Sequence, residues 1–302
     1  MSRVSGSSSK LVHSIQTNGT LLSEPWCDLI EKWEIQIGLS IDGPPEIHDR
    51  HRRYRSGKGS FAAAYRGLQL LQRRGIPFHV ISVLTLASLT RPEEMFRFYQ
   101  DAGIEHVCFN IEEKEGVHAN SELVNSRCFG DVYQNFLNRF FELIASSGTA
   151  MTVREFDTCV RAIRGFGNGI ENCQVEPFSI VSVDYKGNLS TFSPELLGAI
   201  HPAYATFTFG NILDDSFEAI ASCVENSKLY CDIRAGVERC RLECEFYEVC
   251  GGGAPANKIF ENQSADSTET VYCQSHQIAI RVVLEMLERV RRATPAPRGA
   301  VQ

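Results

Sequence analysis

Short apolar segments typical of strands alternate with amphipathic segments typical of helices along the first half of the chain. Strands are predicted at residues 11–15, 35–41, 78–86 and 107–111. Helices are predicted after Ser23, at residues 61–74, after Thr90 and at residues 131–146. Ser23, Ser60 and Thr90 are expected to cap the helices that follow them. Strand and helix alternating at this spacing predict a parallel sheet with right-handed crossovers, as a β/α barrel or an open sheet.

Composition limits the function classes. The 302 residues are 43% hydrophobic and 22% charged, an ordinary globular balance, and the formal charge of −7 gives no basic field for nucleic acid. No apolar run approaches the ~18 residues of a membrane span. Residues 1–10 are Ser/Gly-rich without the apolar region of a signal peptide, so the eleven cysteines predict a reducing cytoplasm. We expect no nucleic-acid partner and no membrane partner.

The character of the chain changes after residues 165–169. Residues 178–184 and 189–192, joined by a Gly/Asn turn, predict a β-hairpin, and a helix is predicted from about residue 274 to residue 292. The expected organisation is a disordered leader (1–10), a β/α domain (11–168), a cysteine-rich domain (169–292) and a disordered tail (293–302).

Four cysteines near the C-terminus carry most of the chemical signal. Cys240, Cys244 and Cys250 fall within eleven residues and are followed by Gly251–Gly253, and Cys273 lies downstream as a fourth ligand. Four soft thiolates select an iron–sulfur cluster or zinc. Buried structural cysteines are the alternative. Charged residues surround the thiols, so we expect this segment to form neither a core strand nor a core helix.

Several segments resemble one family. Residues 16–22, 40–44, 48–49 and 57–61 resemble the middle of the radical SAM barrel of SPASM-type peptide maturases, and residues 240–255 with Asn257, Lys258 and Cys273 resemble the SPASM auxiliary-cluster domain. The resemblance covers about residues 11–280 in the right order. Residues 109–116 and 190–198 look like the branch that builds cyclophane crosslinks in glycine-rich repeat peptides.

The resemblance implies an α/β fold: a partial radical SAM (β/α) barrel missing its first strands, then a small SPASM-type iron–sulfur domain with a β-hairpin and a C-terminal helix. It implies C–C crosslink formation in a ribosomally made precursor peptide, with S-adenosylmethionine (SAM) and [4Fe–4S] clusters as cofactors and a reductant protein as partner. The positions of Ser40, Gln16 and Asn18 line the SAM cavity in the family. For Ser40 to Asp42, turn formation is the alternative.

Two departures from the family pattern matter. The sequence contains neither CxxxCxxC nor GGEP, so we expect a fragment that cannot generate the SAM radical alone, and no catalytic residue is assigned. Cys173 matches the SPASM pattern, but Phe192 and Ala254 stand at two cysteine positions. In the family both positions serve the first auxiliary cluster, whereas Cys240, Cys244, Cys250 and Cys273 serve the second.

The chain is therefore expected to hold one auxiliary [4Fe–4S] cluster. Zinc is the other metal that four thiolates could bind. The family's base position after the lost cysteine is Ser193, with Glu195 close by. The alternative function is a non-catalytic iron–sulfur or zinc-binding remnant that binds a peptide.

Overall fold

The computed structural model describes residues 11–114, 121–165 and 172–293, and these form two compact units. The first unit comprises the described residues through Asn110 and the segment Phe140–Arg154. The second comprises those of Ile111–Arg139 and those from Glu155 onward. The leader 1–10 and tail residues 294–302 lie outside the described residues. So does the expected domain boundary near residue 168, which stays a prediction.

The first unit contains a five-stranded sheet whose strands follow one another in sequence order. The strands are β1 (Ser14–Thr17), β2 (Gln36–Ser40), β3 (Phe78–Leu84), β4 (His106–Ile111) and β5 (Thr152–Val153). β1 is parallel to β2, β2 to β3, and β4 to β5. The expected α/β architecture with a parallel sheet is confirmed. The first strand is shorter than predicted, and β5 was not predicted because two residues carry no periodicity.

Helices connect these strands: α1 (Glu24–Lys32), α2 (Pro45–His51), α3 (Phe61–Arg74), α4 (Leu86–Leu89), α5 (Pro92–Asp101) and α6 (Phe129–Ser147). The bounds of α3 agree with the prediction. Its buried face, with Leu70 and Leu71, packs on Ile37 of β2 together with Cys27 and Ile30 of α1. One face of β2 is thus covered by helices, and Gly38 and Ser40 alternate onto the other face.

Two of the predicted hydroxyl caps are wrong in detail. Ser23 and Ser60 occupy the N-cap positions of α1 and α3, but neither hydroxyl accepts a capping hydrogen bond. Oδ1 of Asp49 instead accepts the Phe61 N–H of α3 at 2.8 Å, so a carboxylate from α2 caps this helix. The Ser60 hydroxyl donates to the Arg52 carbonyl at 2.9 Å.

The third predicted cap, Thr90, is also wrong. The residue before α5 is Arg91, and the Thr90 hydroxyl donates to the Ala87 carbonyl of α4 at 3.1 Å. The short helix α4 was not predicted, and only its first residue, Leu86, was assigned to the preceding strand. Ser88 Oγ accepts the Thr85 N–H at 2.8 Å, which turns the chain at the start of this helix. The apolar residues 78–86 do not indicate in the sequence that the strand ends here.

The second unit contains two small antiparallel sheets. The strands are β6 (Val181–Val183), β7 (Asn188–Thr191), β8 (Ile200–His201), β9 (Ala205–Thr206) and β10 (Gly210–Asn211). One sheet has the order β10-β7-β6, and the other pairs β8 with β9. β6 and β7 form the predicted hairpin, shorter at both ends, and a short 3-10 helix follows at Pro194–Leu196.

The remaining helices are α7 (Arg154–Arg164), α8 (Phe217–Glu225), α9 (Lys228–Glu243), α10 (Tyr247–Cys250), α11 (Pro255–Asn262) and α12 (Val271–Ala293). The predicted terminal helix is confirmed and begins three residues earlier. The expectation that the cysteine segment avoids a core helix is wrong for Cys240, which is buried near the end of α9. Arg241 and Glu243 point to solvent from the exposed faces of the same helix. No helix in the described ranges combines the length and apolar composition needed to cross a membrane.

Candidate functional site

Polar side chains of the first unit meet over Gly38 of β2. The strand register places Gln16 of β1 on one side of Gly38 and His79 of β3 on the other. Gln16 Nε2 donates to Ser40 Oγ at 2.9 Å. A Cβ on Gly38 would lie 2.0 Å from Gln16 Oε1 and 2.9 Å from His79 Nε2, so both side chains occupy the space above this glycine. The structure thus brings together two of the three residues predicted for the SAM cavity.

The same sheet carries a second polar group at β4 and β5. Arg154, directly after β5, donates from Nη2 to Asn110 Oδ1 at 2.6 Å and to the Phe109 carbonyl at 3.2 Å. Burial lowers the pKa of His79, and the charges of Arg154 and His106 lower it further. His79 is therefore a neutral imidazole close to an Arg cation. Parallel sheets are normally covered by apolar residues on both faces, so this polar face is distinctive.

His79, Asn110 and Arg154 were not predicted as site residues. The sequence did indicate two of these residues, because each is a polar residue within an otherwise apolar strand. His79 lies in residues 78–86 and Asn110 in residues 107–111. Arg154 follows a strand too short to recognise from sequence.

Asn18 lies apart from these contacts. Its Oδ1 accepts the Thr20 N–H at 3.1 Å and the Thr20 hydroxyl at 2.9 Å, and the side chain is exposed. These bonds form a local turn after β1. The structure therefore places Asn18 near the strand end but does not join it to Gln16 or Ser40.

The side chain of Asp42, which follows β2, holds neighbouring parts of the fold together. Its carboxylate is buried and accepts hydrogen bonds from Arg52 Nε at 2.6 Å and Nη2 at 3.0 Å. Oδ1 also accepts the Val83 N–H at 3.0 Å, which ties the end of β2 to β3. These bonds use both oxygens, so the turn-forming alternative describes Asp42 well.

His48 and Ser60 complete the same loop. The Asp42 N–H donates to His48 Nδ1 at 3.3 Å, so the ring proton is on Nε2, which donates to Ser60 Oγ at 3.1 Å. Burial lowers the pKa of His48; Asp42 opposes this shift and Arg52 adds to it. The family-like segments 40–44, 48–49 and 57–61 therefore form one hydrogen-bonded loop around the end of β2.

The four predicted metal ligands lie around one cavity in the second unit. Cys240 lies in the last turn of α9, Cys244 follows this helix, Cys250 ends α10, and Cys273 lies in the first turn of α12. Three of them, Cys240, Cys244 and Cys273, line a cavity of about 450 Å³. Cys250 interacts electrostatically with all three. In the described ranges, no three His, Cys, Asp or Glu side chains are close enough together to hold a single metal ion.

Burial and mutual repulsion disfavour the thiolate forms of Cys250 and Cys273 in the metal-free chain. Burial first and then the charge of Cys273 raise the pKa of Cys250 to about 11. The pKa of Cys273 is also raised, by burial first and then by Cys244 and Cys240. Four clustered, mostly desolvated thiols are a donor set that a positive metal centre would stabilise as thiolates.

A glycine loop shapes the wall beside Cys250. Gly251, Gly252 and Gly253 all have positive φ, at 66°, 101° and 78°, a conformation that favours glycine. A Cβ on Gly252 would lie 2.8 Å from Val237 of α9. Asn172 Nδ2 donates to the carbonyls of Gly253 at 2.8 Å and Gly251 at 3.2 Å. Asn172 was not predicted, because it lies nearly eighty residues before the loop in sequence.

The residues at the other SPASM positions have different surroundings. Phe192 is fully buried in the core of the second unit, with its ring stacked on Tyr230 at a centroid distance of 6.0 Å. Ala254 is also buried, whereas Cys173 is exposed. Ser193 donates to the carboxylate of Glu195 two residues later.

Similar proteins support the fold and the family. The chain is 43% identical over 277 residues to the uncharacterised protein sll1766 of Synechocystis, covering 91% of this chain and 69% of that protein. It is 24% identical over 281 residues to the cysteine-type anaerobic sulfatase-maturating enzyme of Clostridium perfringens, covering 89% and 70%. Native anSMEcpe with bound AdoMet and the Cp18Cys peptide has a TM-score of 0.70 at 23% identity, covering 94% of this chain and 77% of that one.

No family model matches the chain. The chain spans 65 to 70% of the length of the curated relatives most similar to it. The identity to sll1766 and the matches to sulfatase-maturating enzymes extend over both units. The chain belongs to the same family as sll1766, and its homologues include the anaerobic sulfatase-maturating enzymes, which are radical SAM enzymes.

Proposed function

We propose that this protein takes part in C–C crosslink formation in a ribosomally made precursor peptide and holds one auxiliary [4Fe–4S] cluster. The observation that carries the proposal is the arrangement of Cys240, Cys244, Cys250 and Cys273 around one cavity. Solved structures with this fold include one with a bound peptide, which supports a peptide substrate. Residues 109–116 and 190–198, which resemble the cyclophane-forming branch in sequence, support the crosslink chemistry.

The donor set fits a cluster. Cys240, Cys244 and Cys273 line a cavity of about 450 Å³, and Cys250, which interacts with all three, precedes the glycine loop held by Asn172. A cluster with four cysteine ligands transfers electrons and has no open iron position for substrate. Zinc, the other metal that four thiolates bind, would require these thiols to lie closer together than they do in the described ranges.

One cluster rather than two is supported by the surroundings of Phe192 and Ala254. Both positions are packed into apolar structure, and Phe192 is enclosed by core side chains such as Tyr230 and Phe209. A bulky ring at this position leaves Cys173 without the partners that a first auxiliary cluster would require.

The polar face around Gly38 is the proposed SAM site. Ser40 and Gln16 present hydroxyl and amide groups suited to the ribose and carboxylate of SAM, and Asn18 lies on the loop that follows β1. His79 and Arg154 extend this face with a neutral imidazole and a cation. Binding here would be measured with SAM and the full chain by calorimetry, with Ser40→Ala as the variant expected to weaken it.

Radical formation is not assigned to this chain. Its sequence contains no CxxxCxxC, so we expect no 5′-deoxyadenosine from SAM and a reductant when the chain is alone. This favours, as the second candidate, a non-catalytic iron–sulfur or zinc-binding protein that binds a peptide. None of the eleven cysteines forms a disulfide, which suits a cytoplasmic protein served by a reductant protein.

Anaerobic reconstitution of the full chain with iron and sulfide tests the proposal. We expect about four irons per chain, as one fully ligated [4Fe–4S] cluster requires. About eight irons, or tightly bound zinc without iron, would refute the single iron–sulfur cluster. Production of 5′-deoxyadenosine would contradict the separation of radical formation from this chain.

A further inference from the structure

Lys258 places a cation inside the second unit, beside a predicted ligand. The residue lies in α11 and is only 2% exposed. Its Nζ lies 3.5 Å from Sγ of Cys240, and in the described part of the chain this thiol is its side-chain hydrogen-bond partner. An ammonium group removed from water is strongly disfavoured unless an anion accompanies it. Negative charge at or near Cys240, which a thiolate-ligated cluster would supply, would stabilise this buried ammonium group.

The opposite side of the thiol cavity is acidic. Glu243, Glu245 and Glu269 line it, and Glu245 is paired with Arg281 at 3.3 Å. Cys240 Sγ otherwise faces the Gly252 carbonyl at 3.8 Å, which adds no positive charge. Lys258 is thus the cation that contacts a ligand sulfur from the protein interior, where solvent screening is weak.

We infer that Lys258 is the fixed positive charge that balances the cluster held by the four cysteines and raises its reduction potential. The inference rests on the proposed function, because it requires that cluster. A [4Fe–4S] cluster with four thiolates is anionic and gains one more negative charge when it accepts an electron, with no ligand bond formed or broken. A cation at 3.5 Å from a ligand sulfur stabilises the reduced form more than the oxidised form.

Redox titration of the iron- and sulfide-loaded full chain, reduced with dithionite and followed by electron paramagnetic resonance, measures the effect. Lys258→Met removes the charge and keeps the chain length, whereas Lys258→Gln also keeps an N–H donor. Lys258→Arg keeps the charge and serves as the matched control. We expect both neutral variants to lower the reduced-to-oxidised ratio at a fixed potential at least tenfold, equal to about 59 mV for one electron. The arginine variant should stay close to the parent chain.

The outcomes separate this inference from the proposed function. Neutral variants that load about four irons and titrate like the parent overturn the role of Lys258 and leave the cluster assignment intact. A glutamine variant that titrates like the parent, while methionine does not, assigns the effect to hydrogen bonding and overturns the charge. Failure of the parent chain to load iron refutes the proposed function itself. A further outcome is loss of iron in both neutral variants with full loading of the arginine variant. When thermal unfolding of the metal-free chains is unchanged, this outcome supports the role of the Lys258 charge.

Discussion

Arg52 donates two hydrogen bonds to the buried carboxylate of Asp42, from Nε at 2.6 Å and from Nη2 at 3.0 Å. The carboxylate also holds β3 through the Val83 N–H. Arg52→Met would leave the Asp42 charge without its cation, so we expect a loss of about 2–3 kcal/mol in the free energy of unfolding. Urea unfolding at neutral pH measures it. Arg55→Met, at an exposed neighbouring position, should change stability by less than about 0.5 kcal/mol. Equal losses in the two variants would contradict a structural role for this pair.

Gly38→Ala tests the crowding over β2. The new Cβ would meet Gln16 Oε1 at 2.0 Å, and because this is the end of a flexible side chain we expect a loss of only about 1 kcal/mol. Gln16→Ala removes the obstacle, so the two substitutions should couple by about 0.5 kcal/mol or more. A double-mutant cycle in urea gives the coupling, and additive effects would show that Gln16 does not occupy this space.

Asn172→Ala tests the support of the glycine loop. The variant loses donors to the Gly251 and Gly253 carbonyls, so we expect about 1–2 kcal/mol of destabilisation and less iron after reconstitution. Asn226→Ala, which removes a bond to its own helix end, is the matched control and should bind iron like the parent. Normal iron content in Asn172→Ala would mean that the loop keeps its shape without this side chain.

Cysteine variants test how many clusters the chain holds. Cys250→Ser removes a ligand of the proposed cluster and should abolish most of the iron binding. Cys173→Ser should leave about four irons per chain, because its thiol is exposed and Phe192 and Ala254 leave it without partner ligands. Iron and acid-labile sulfide assays measure both. A drop in iron for Cys173→Ser would indicate a first auxiliary cluster.

Acid should weaken the first unit through His48. Burial holds the pKa of His48 below its ordinary value of 6.5 in the folded chain, so the unfolded chain binds more protons in this range. Stability should therefore be constant above about pH 6.5 and fall as the pH drops below it. Urea midpoints at pH 7.5 and about 5.5 measure the fall, which should be smaller in His48→Gln. An identical fall in that variant would assign the acid sensitivity to other groups.

Local patterns predicted much of the fold. The bounds of α3 and the register-defining strands β2 and β3 follow from apolar periodicity and from the glycine that ends the helix. Side-chain caps were less predictable. The Ser60 hydroxyl had a competing acceptor in the Arg52 carbonyl, and Asp49 reached the Phe61 N–H from α2.

The residues of the candidate cluster site were also predictable only where the signal is local in sequence. The spacing of Cys240, Cys244 and Cys250 is local and could be recognised in the sequence. Asn172 donates to the glycine loop after Cys250, and Lys258 contacts the sulfur of Cys240. No spacing rule links either residue to the cysteines. Cys240 itself was misjudged because charged neighbours were taken to exclude a core helix, although one helix can carry both faces.

The stacking of Phe192 on Tyr230 has a consequence for any attempt to rebuild the two-cluster pattern. Replacing Phe192 with a cysteine empties a ring-sized volume in the core, and truncations of this size cost about 3–5 kcal/mol. The thiol at position 192 gains a metal partner only if position 254 also becomes a cysteine. A single substitution of Phe192 by cysteine therefore loses stability before the new thiol gains a metal ion to bind.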